Sequence, residues 1–553
     1  MGCPGSLVER EVAPLADLKT QRSKRRDPIA VSIVKSDSPG PSQGFVLAVL
    51  AVLLANACCF AYAIRGYFVD DAYIDFQYLR NLLAGQGFVF RAGQPVVEGV
   101  TNIGWPLLLA PLAALSSPTA AAKAVGLLML IASFALTVRL GWASAAQCKL
   151  EERCSSLAIV PVLLLAASFE FVYFSLAGME TALLAATLLC MSWLALRKPD
   201  SLALPVLGAF SFLLHPEAVA VYPFYALLAG RHLNRRRLCL GVLVWVMLLA
   251  VVTAVRYAIF HDVVPNTFHA KPTSLQQIAH NGYGFLVGRS ANIPYPLTCW
   301  LALPLLALGY LRLRRSVPAT AAMLAATAVA GLAFGIYSLP DWTETGRYFA
   351  PYLPAALLLF WSGLVEAIGR LLPLASQRPA RELLKLAAVV LLVAAGMFGL
   401  RAKMSQMEMF PGYVLASKNL VAPAVWMREH LPPDATIATR RIGALAYYGD
   451  RTIFDYTFGL TDREVARLVA AAGRRFDLPN DPALAAVWRR RSPDFLLEDD
   501  VMIDMIAAHA GGTRRQFVIH GQPYGVVQCF SIGPGKDWVL ARRLALRADR
   551  EGQ

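Results

Sequence analysis

The sequence predicts a polytopic α-helical membrane protein of about eleven transmembrane helices with a C-terminal extracytoplasmic α/β domain. Three observations predict it. Of 553 residues, 57% are hydrophobic and 16% charged, where a soluble chain carries roughly a quarter charged. Apolar runs long enough to cross a bilayer, about 20 residues each, recur between residues 44 and 402. Basic residues cluster beside those runs: Arg22, Lys24, Arg25 and Arg26 before the first, Arg231, Arg235, Arg236 and Arg237 after another, and Arg312, Arg314 and Arg315 after a third. Such clusters fix orientation by staying on the cytoplasmic side. They account for much of the net charge of +15 without any nucleic acid partner, because aromatic residues are not interleaved with them as a nucleic-acid groove requires.

Taken in order, residues 1–43 are rich in Ser, Pro, Lys and Arg and read as a disordered cytoplasmic N-terminus. The first apolar run, 44–64, has no small-residue cleavage pattern behind it and reads as an uncleaved anchor running outward. A polar outer loop, 65–104, follows. Within it Tyr73, Ile74, Phe76, Leu79, Leu82 and Leu83 recur at helical spacing, and Gly85, Gly87, Gly93 and Pro95 punctuate turns. Spans are expected to end near Trp142 and Ser168, to run from Glu180 to Arg197, and to lie near 238–260, 293–313, 318–338, 349–370 and 384–402. The stretch 201–230 is too long for one helix, and both its ends carry cytoplasmic basic residues, so it crosses an even number of times. Two short spans result, with His215, Pro216 and Glu217 at the outer turn. The transmembrane domain is thus 44–402, and the outer domain 403–553. In the outer domain a helix is expected at 421–430, with strands at 436–439, 452–456, 494–497, 516–519 and 538–540. Cys529 is its only cysteine, which excludes a disulfide within it.

On this topology the hydrophilic clusters all emerge on the outer side. They are Asp70, Asp71 and Asp75; Glu98 and Asn102; Glu170 and Glu180; His215 and Glu217; Asn266 and Lys271; and Asp341, Trp342 and Arg347. Charge near membrane depth is costly and marks a water-filled functional cavity. Adjacent acids on a helix point about 100° apart. One of Asp70 and Asp71 therefore suits a general base, and the other a cation or an acceptor contact. The plainer alternative is an N-cap followed by an acid favoured by the helix dipole. Arg347 offers the planar fork that pairs phosphate oxygens, or is an ordinary loop arginine beside an interfacial tryptophan. Lys271 is a phosphate contact or a solvated lysine; His215 and Glu217 belong to the site or cap helices around Pro216. Nucleotide loops, zinc spacings and dinucleotide fingerprints are missing from the sequence, which favours a lipid-linked substrate over a soluble nucleotide sugar. The competing class, a transporter or flippase, places its coupling residues near the bilayer midplane at paired broken helices.

Several of these segments together resemble a known family. DDAYIDFQYLRNLLAGQGFVFRAGQPVVEGVTN (70–102) is similar to the first outer loop of the GT-C glycosyltransferase superfamily, in the branch of the mycobacterial terminal arabinofuranosyltransferase. AGMET (177–181), HPEA (215–218), PNTFHAKPT (265–273), DWTETGRYFAPYLP (341–354) and DYTFGLTDREVAR (455–467) follow in the family's order. The resemblance implies inverting transfer from a polyprenyl-phosphate sugar to a cell-envelope glycan, glycolipid or protein acceptor, at the outer face of a bacterial cytoplasmic membrane. It implies Asp70 or Asp71 as the catalytic acid/base and Arg347, with Lys271, as donor-phosphate ligands. Glu98, Asn102, Glu180, His215, Glu217, Asn266, Asp341 and Trp342 would line the cavity, with a possible divalent cation at Asp70 and Asp71. Departures from the family pattern at Gln77, Val100 and His215, and at Thr343-Glu344-Thr345, leave the sugar open, arabinofuranose included.

Overall fold

The computed structural model describes residues 48, 51–55, 57–59, 62, 64–147, 156–287, 297, 302–338, 346–371, 420–473, 481–510, 512–533 and 536–544. The expected N-terminal segment, the expected span 384–402, and Asp341 and Trp342 lie outside them. The described residues belong to a single compact unit.

Among the described residues four helices are long and apolar enough to cross a membrane: 118–145, 235–260, 318–337 and 347–370. The helix Arg235–Phe260 makes the membrane argument most directly. It is 26 residues long, and only Gly241, Arg256 and Phe260 are buried. So much exposed apolar surface is stable only against lipid. Other expected spans are short or broken. Helices Gly104–Leu115 and Ala203–Leu214 have 12 residues each, and Phe169–Leu176 meets Thr181–Arg197 at a bend of 113°. The stretch 201–230 folds as two short helices, Ala203–Leu214 and Val221–Ala229, joined by a 3₁₀ turn over Pro216–Ala220.

The bend has a local cause. Gly178 sits at φ +95, and a Cβ there would lie 2.8 Å from the Phe68 ring and 2.9 Å from Ala72 Cβ. Only glycine allows both the left-handed backbone and that approach. Trp105 Nε1 donates to the Gly178 carbonyl at 3.0 Å. Lys123, within an apolar helix, donates from Nζ to the carbonyls of Ile64, Tyr67 and Leu176 at 2.9, 2.9 and 2.6 Å. Residues 67–69 are thereby pinned to the bend, where the Val69 amide also donates to the Ala177 carbonyl at 3.1 Å, which sets where the next helix, Asp70–Leu83, begins. That helix was expected to be amphipathic. It is instead enclosed on nearly every side, with Asp70, Asp75, Gln77 and Asn81 buried beside Tyr73, Phe76 and Tyr78. The cause is that Tyr447 and Tyr448 of the C-terminal domain pack on Tyr73 and Phe76, while Val89, Phe90 and Asn102 cover Asp75, Gln77 and Asn81.

The C-terminal domain, expected from the sequence to lie on the outer side, is a six-stranded mixed sheet flanked by helices. Its strands are β1 (Thr436–Ala438), β2 (Thr452–Phe454), β3 (Phe495–Asp499), β4 (Gln516–Ile519), β5 (Gln522–Gly533) and β6 (Lys536–Arg543), in the order β2-β1-β3-β6-β5-β4. β1 runs parallel to β2 and β3, and the other pairings are antiparallel. Helix Val421–His430 and five of the strands fall where expected. The longest strand, β5, was not expected.

The carboxyl ends of the parallel strands carry the loops that touch the first helix. After β1 the chain turns through Thr439–Ile442 into helix Gly443–Gly449. There the amides of Gly443 and Ala444 donate to the Asp70 carboxylate at 3.3 and 2.8 Å. A Cβ on Gly443 would lie 1.9 Å from the Asp70 carbonyl oxygen. Gly443→Ala is therefore expected to cost about 1–3 kcal/mol by forced overpacking. A lowered melting temperature of the purified protein checks this, and an unchanged one would mean the contact yields freely.

Candidate active site

A connected set of polar side chains lies between the first helix, the 178 bend, the 215–217 turn and the 347–352 turn. Arg347 Nη1 donates to Asp71 Oδ2 at 2.6 Å, and its guanidinium lies 5.6 Å from the centre of the Phe174 ring. One helical turn beyond Asp71, Asp75 faces the same side. Asn102 Nδ2 donates both to Asp75 Oδ2 at 2.9 Å and to Glu180 Oε2 at 2.7 Å. Glu180 Oε1 meets His215 Nε2 at 3.5 Å, and His215 Nδ1 pairs with Glu217. The Tyr352 hydroxyl donates to Glu217 Oε1 at 3.1 Å. Each contributing segment supplies what its backbone allows: the bend turns Glu180 inward, and Pro216 ends the preceding helix so that His215 and Glu217 project from the turn.

The adjacent acids separate clearly. Asp70 is 5% exposed and anchors the C-terminal domain by accepting the Gly443 and Ala444 amides. Burial raises its carboxyl above the ordinary value, in spite of the Ala444 amide and the charge of Arg441, which oppose the shift. The Asp71 side chain remains 33% exposed. Burial acts to raise its carboxyl too, but the charges of Arg347 and then Lys271 outweigh burial and hold it below the ordinary value. These surroundings do not suit a divalent cation shared by the pair. Both Asp70 oxygens accept amides, while Asp71 sits among the charges of Arg347, Lys271 and Arg441, which repel a further cation.

Asp75 has the reverse environment. Burial, then the neighbouring Glu180 charge, raise its carboxyl well above 3.8. A raised acid contributes stability that is fully present below the unfolded value of 3.8 and lost as pH rises through the folded value. Asp75→Asn keeps an oxygen to accept from Asn102 and removes the titration. It is expected to raise the melting temperature by at least about 2 °C at pH 7.5 and to leave it unchanged near pH 3.5. A fall at pH 7.5 would mean that the ionised form is the stabilising one.

Two of the expected cavity residues belong elsewhere. Glu98 is buried in an ion pair with Arg256 Nε at 2.7 Å, and burial raises its carboxyl against that pairing. Asn266 donates from Nδ2 to the carbonyls of Gly459 and Leu460 at 2.7 and 2.9 Å. That loop is itself shaped by Asp455, which accepts the amides of Thr457, Phe458 and Leu460. Glu98 thus ties the first loop to helix Arg235–Phe260, and Asn266, whose amide donates to the Glu98 carbonyl at 3.0 Å, ties that corner to the C-terminal domain, instead of facing the acid network. A cavity of about 470 Å³ opens nearby, lined among others by Gln94, Val97, Arg463, Arg467 and Arg491; none of the expected site residues lines it.

The expectations also missed Tyr352, Arg256, Lys123 and Arg441. Lys123 and Arg256 were visible as lone cations inside apolar runs, a pattern that demands a buried partner. Arg441 was visible only as half of an Arg-Arg pair after a predicted strand.

A family model described as a domain of unknown function (DUF8728) matches residues 413–551, which contain the six-stranded sheet. Among solved structures the chain is similar to ArnT from Cupriavidus metallidurans, whose crystal structure is in the apo state. Identity is 15% and the TM-score 0.47, over 90% of this chain and 97% of that one. None of the curated proteins matches the chain.

Proposed function

We propose that this chain is a GT-C-type membrane glycosyltransferase that moves a sugar from a polyprenyl-phosphate donor to a cell-envelope acceptor at the outer face of the cytoplasmic membrane. Asp71 is the general base, and Arg347 and Lys271 hold the donor phosphate. One observation carries the reading. Segments scattered from 70 to 354 that resemble the superfamily contribute Asp71, Asp75, Asn102, Glu180, His215, Glu217, Arg347 and Tyr352 to one connected polar site. Packing alone gives no reason for so many buried and half-buried polar groups in one place.

The mechanism follows from the Asp71–Arg347 pair. Without donor, each neutralises the other. A donor phosphate competes for the Arg347 fork, which releases Asp71 and lets its carboxyl rise toward the range of an effective base. The acceptor hydroxyl then gives its proton to Asp71 as its oxygen bonds to the anomeric carbon. The bond from that carbon to the phosphate oxygen breaks with its electron pair on the phosphate. The leaving group is already anionic, so charge stabilisation by Arg347 and Lys271 replaces protonation. A single displacement inverts configuration, whereas retention needs a covalent carboxylate intermediate. Arabinofuranosyl transfer is one form of this chemistry.

The test is direct. Purified full-length protein is incubated with membrane extract and a panel of radiolabelled polyprenyl-phosphate sugars, arabinofuranose among them. Transfer of one label into extract is expected. If no label in the panel moves, the reading fails.

A further inference from the structure

Among the described residues, the domain that matches a model of unknown function meets the acid site at the loop after β1. Two arginines stand there, and their surroundings differ. Arg440 turns into its own domain: its backbone amide and Nε donate to Glu498 at 2.9 Å each, and Nη2 donates to Asp499 at 3.0 Å. The Tyr456 hydroxyl also donates to that Glu498, at 2.7 Å. Arg440 is therefore held by acids at the carboxyl end of β3.

Arg441 is held the other way. Its amide donates to Thr439 Oγ1 at 3.1 Å, and two residues on, the amides of Gly443 and Ala444 grip Asp70. The Gly443 backbone lies so close to the first helix that no side chain fits between them. This seating leaves Arg441 half-buried at the junction, and its charge acts on both Asp70 and Asp71. In sheets with parallel strands, ligands bind beyond the carboxyl ends of those strands. Here that end of β1, β2 and β3 is the end turned toward the membrane site.

We infer that the outer domain completes the donor-phosphate site by supplying Arg441 as a third cation beside Arg347 and Lys271. The inference rests on the proposed function, since the anion it names is the donor's phosphate. It assigns the outer domain a part in binding the leaving group, whatever part it also has in acceptor recognition. Arg441 acts on a group that carries charge before and after the bond breaks, so its removal weakens donor binding more than it slows a bound donor's reaction.

The experiment measures binding of a short-chain polyprenyl phosphate without sugar to the full-length protein, by tryptophan fluorescence, for wild type and for Arg441→Gln, Arg441→Lys and Arg347→Ala. Arg441→Gln is expected to weaken binding at least about tenfold, and Arg441→Lys to restore most of it. Full affinity in Arg441→Gln, with binding lost in Arg347→Ala, would overturn the role of Arg441 and leave the proposed function standing. Absence of binding to the wild type would overturn both. If Arg441→Gln does not fold, Arg441→Met, which keeps the packing stem and removes the charge, takes its place. Its binding should be at least about tenfold weaker and fall less steeply with added NaCl than the wild type's; an unchanged affinity and salt slope would remove Arg441 from the site.

Discussion

Asp71→Asn is expected to lower sugar transfer by at least about a hundredfold while the protein keeps its fold, because a positioned general base contributes about 10²–10⁴. Asn retains an oxygen for Arg347 but cannot take a proton. Asp70→Asn is the informative companion. Its amide nitrogen faces one of the Gly443 and Ala444 amides in place of an acceptor, so the penalty of about 1–3 kcal/mol falls on docking of the C-terminal domain. It should lower the melting temperature, with transfer at permissive temperature reduced less than tenfold. The two variants together separate chemistry from assembly. If Asp70→Asn abolishes transfer without a loss of stability while Asp71→Asn remains active, the roles of the two acids are reversed.

Arg347→Ala is expected to reduce transfer by about 10²–10³, the usual loss when one stabilising donor is removed from a developing anion. It also predicts a sign. In the free wild-type enzyme, Arg347 and Lys271 outweigh burial and hold Asp71 low, so kcat/KM for the donor persists as pH falls until that low value is reached. Without Arg347 burial has less opposing it, the Asp71 carboxyl rises, and the acid limb of the pH–rate profile moves to higher pH. Arg347→Lys, which keeps charge but loses the fork, should retain the wild-type limb with reduced transfer. An acid limb that stays in place in Arg347→Ala would show that another group sets it.

The architecture was largely legible where a local pattern decides it. Helix Val421–His430 matches its expected bounds, and the two short helices around Pro216 follow from the length and flanking charge of that stretch. β5 was illegible because it opens Gln522-Pro523-Tyr524-Gly525, which reads as a turn. Only pairing with β6 and β4 on its two sides makes it a strand. The gathering of Asp71, Glu180, His215, Glu217 and Arg347 was legible from one rule, that charges near membrane depth share a cavity. Partner choice was not. Asp70 finds its donors 373 and 374 positions away, and Glu98 finds Arg256 158 positions away. Nothing in local periodicity encodes such distances, so equal-looking acids could not be sorted into anchor, ion pair and candidate base before the packing was known.

The grip of Gly443 and Ala444 on Asp70 has a consequence for biogenesis. A ribosome finishes the first helix long before it reaches those two residues, so a half-made protein already inserted in the membrane holds a carboxylate without its intended donors. Water must fill that gap during synthesis and leave when the last domain docks. Maturation then depends on the carboxy-terminal portion reaching the side of the membrane on which the first helix lies, and a chain stalled before that point would be inserted without its site assembled.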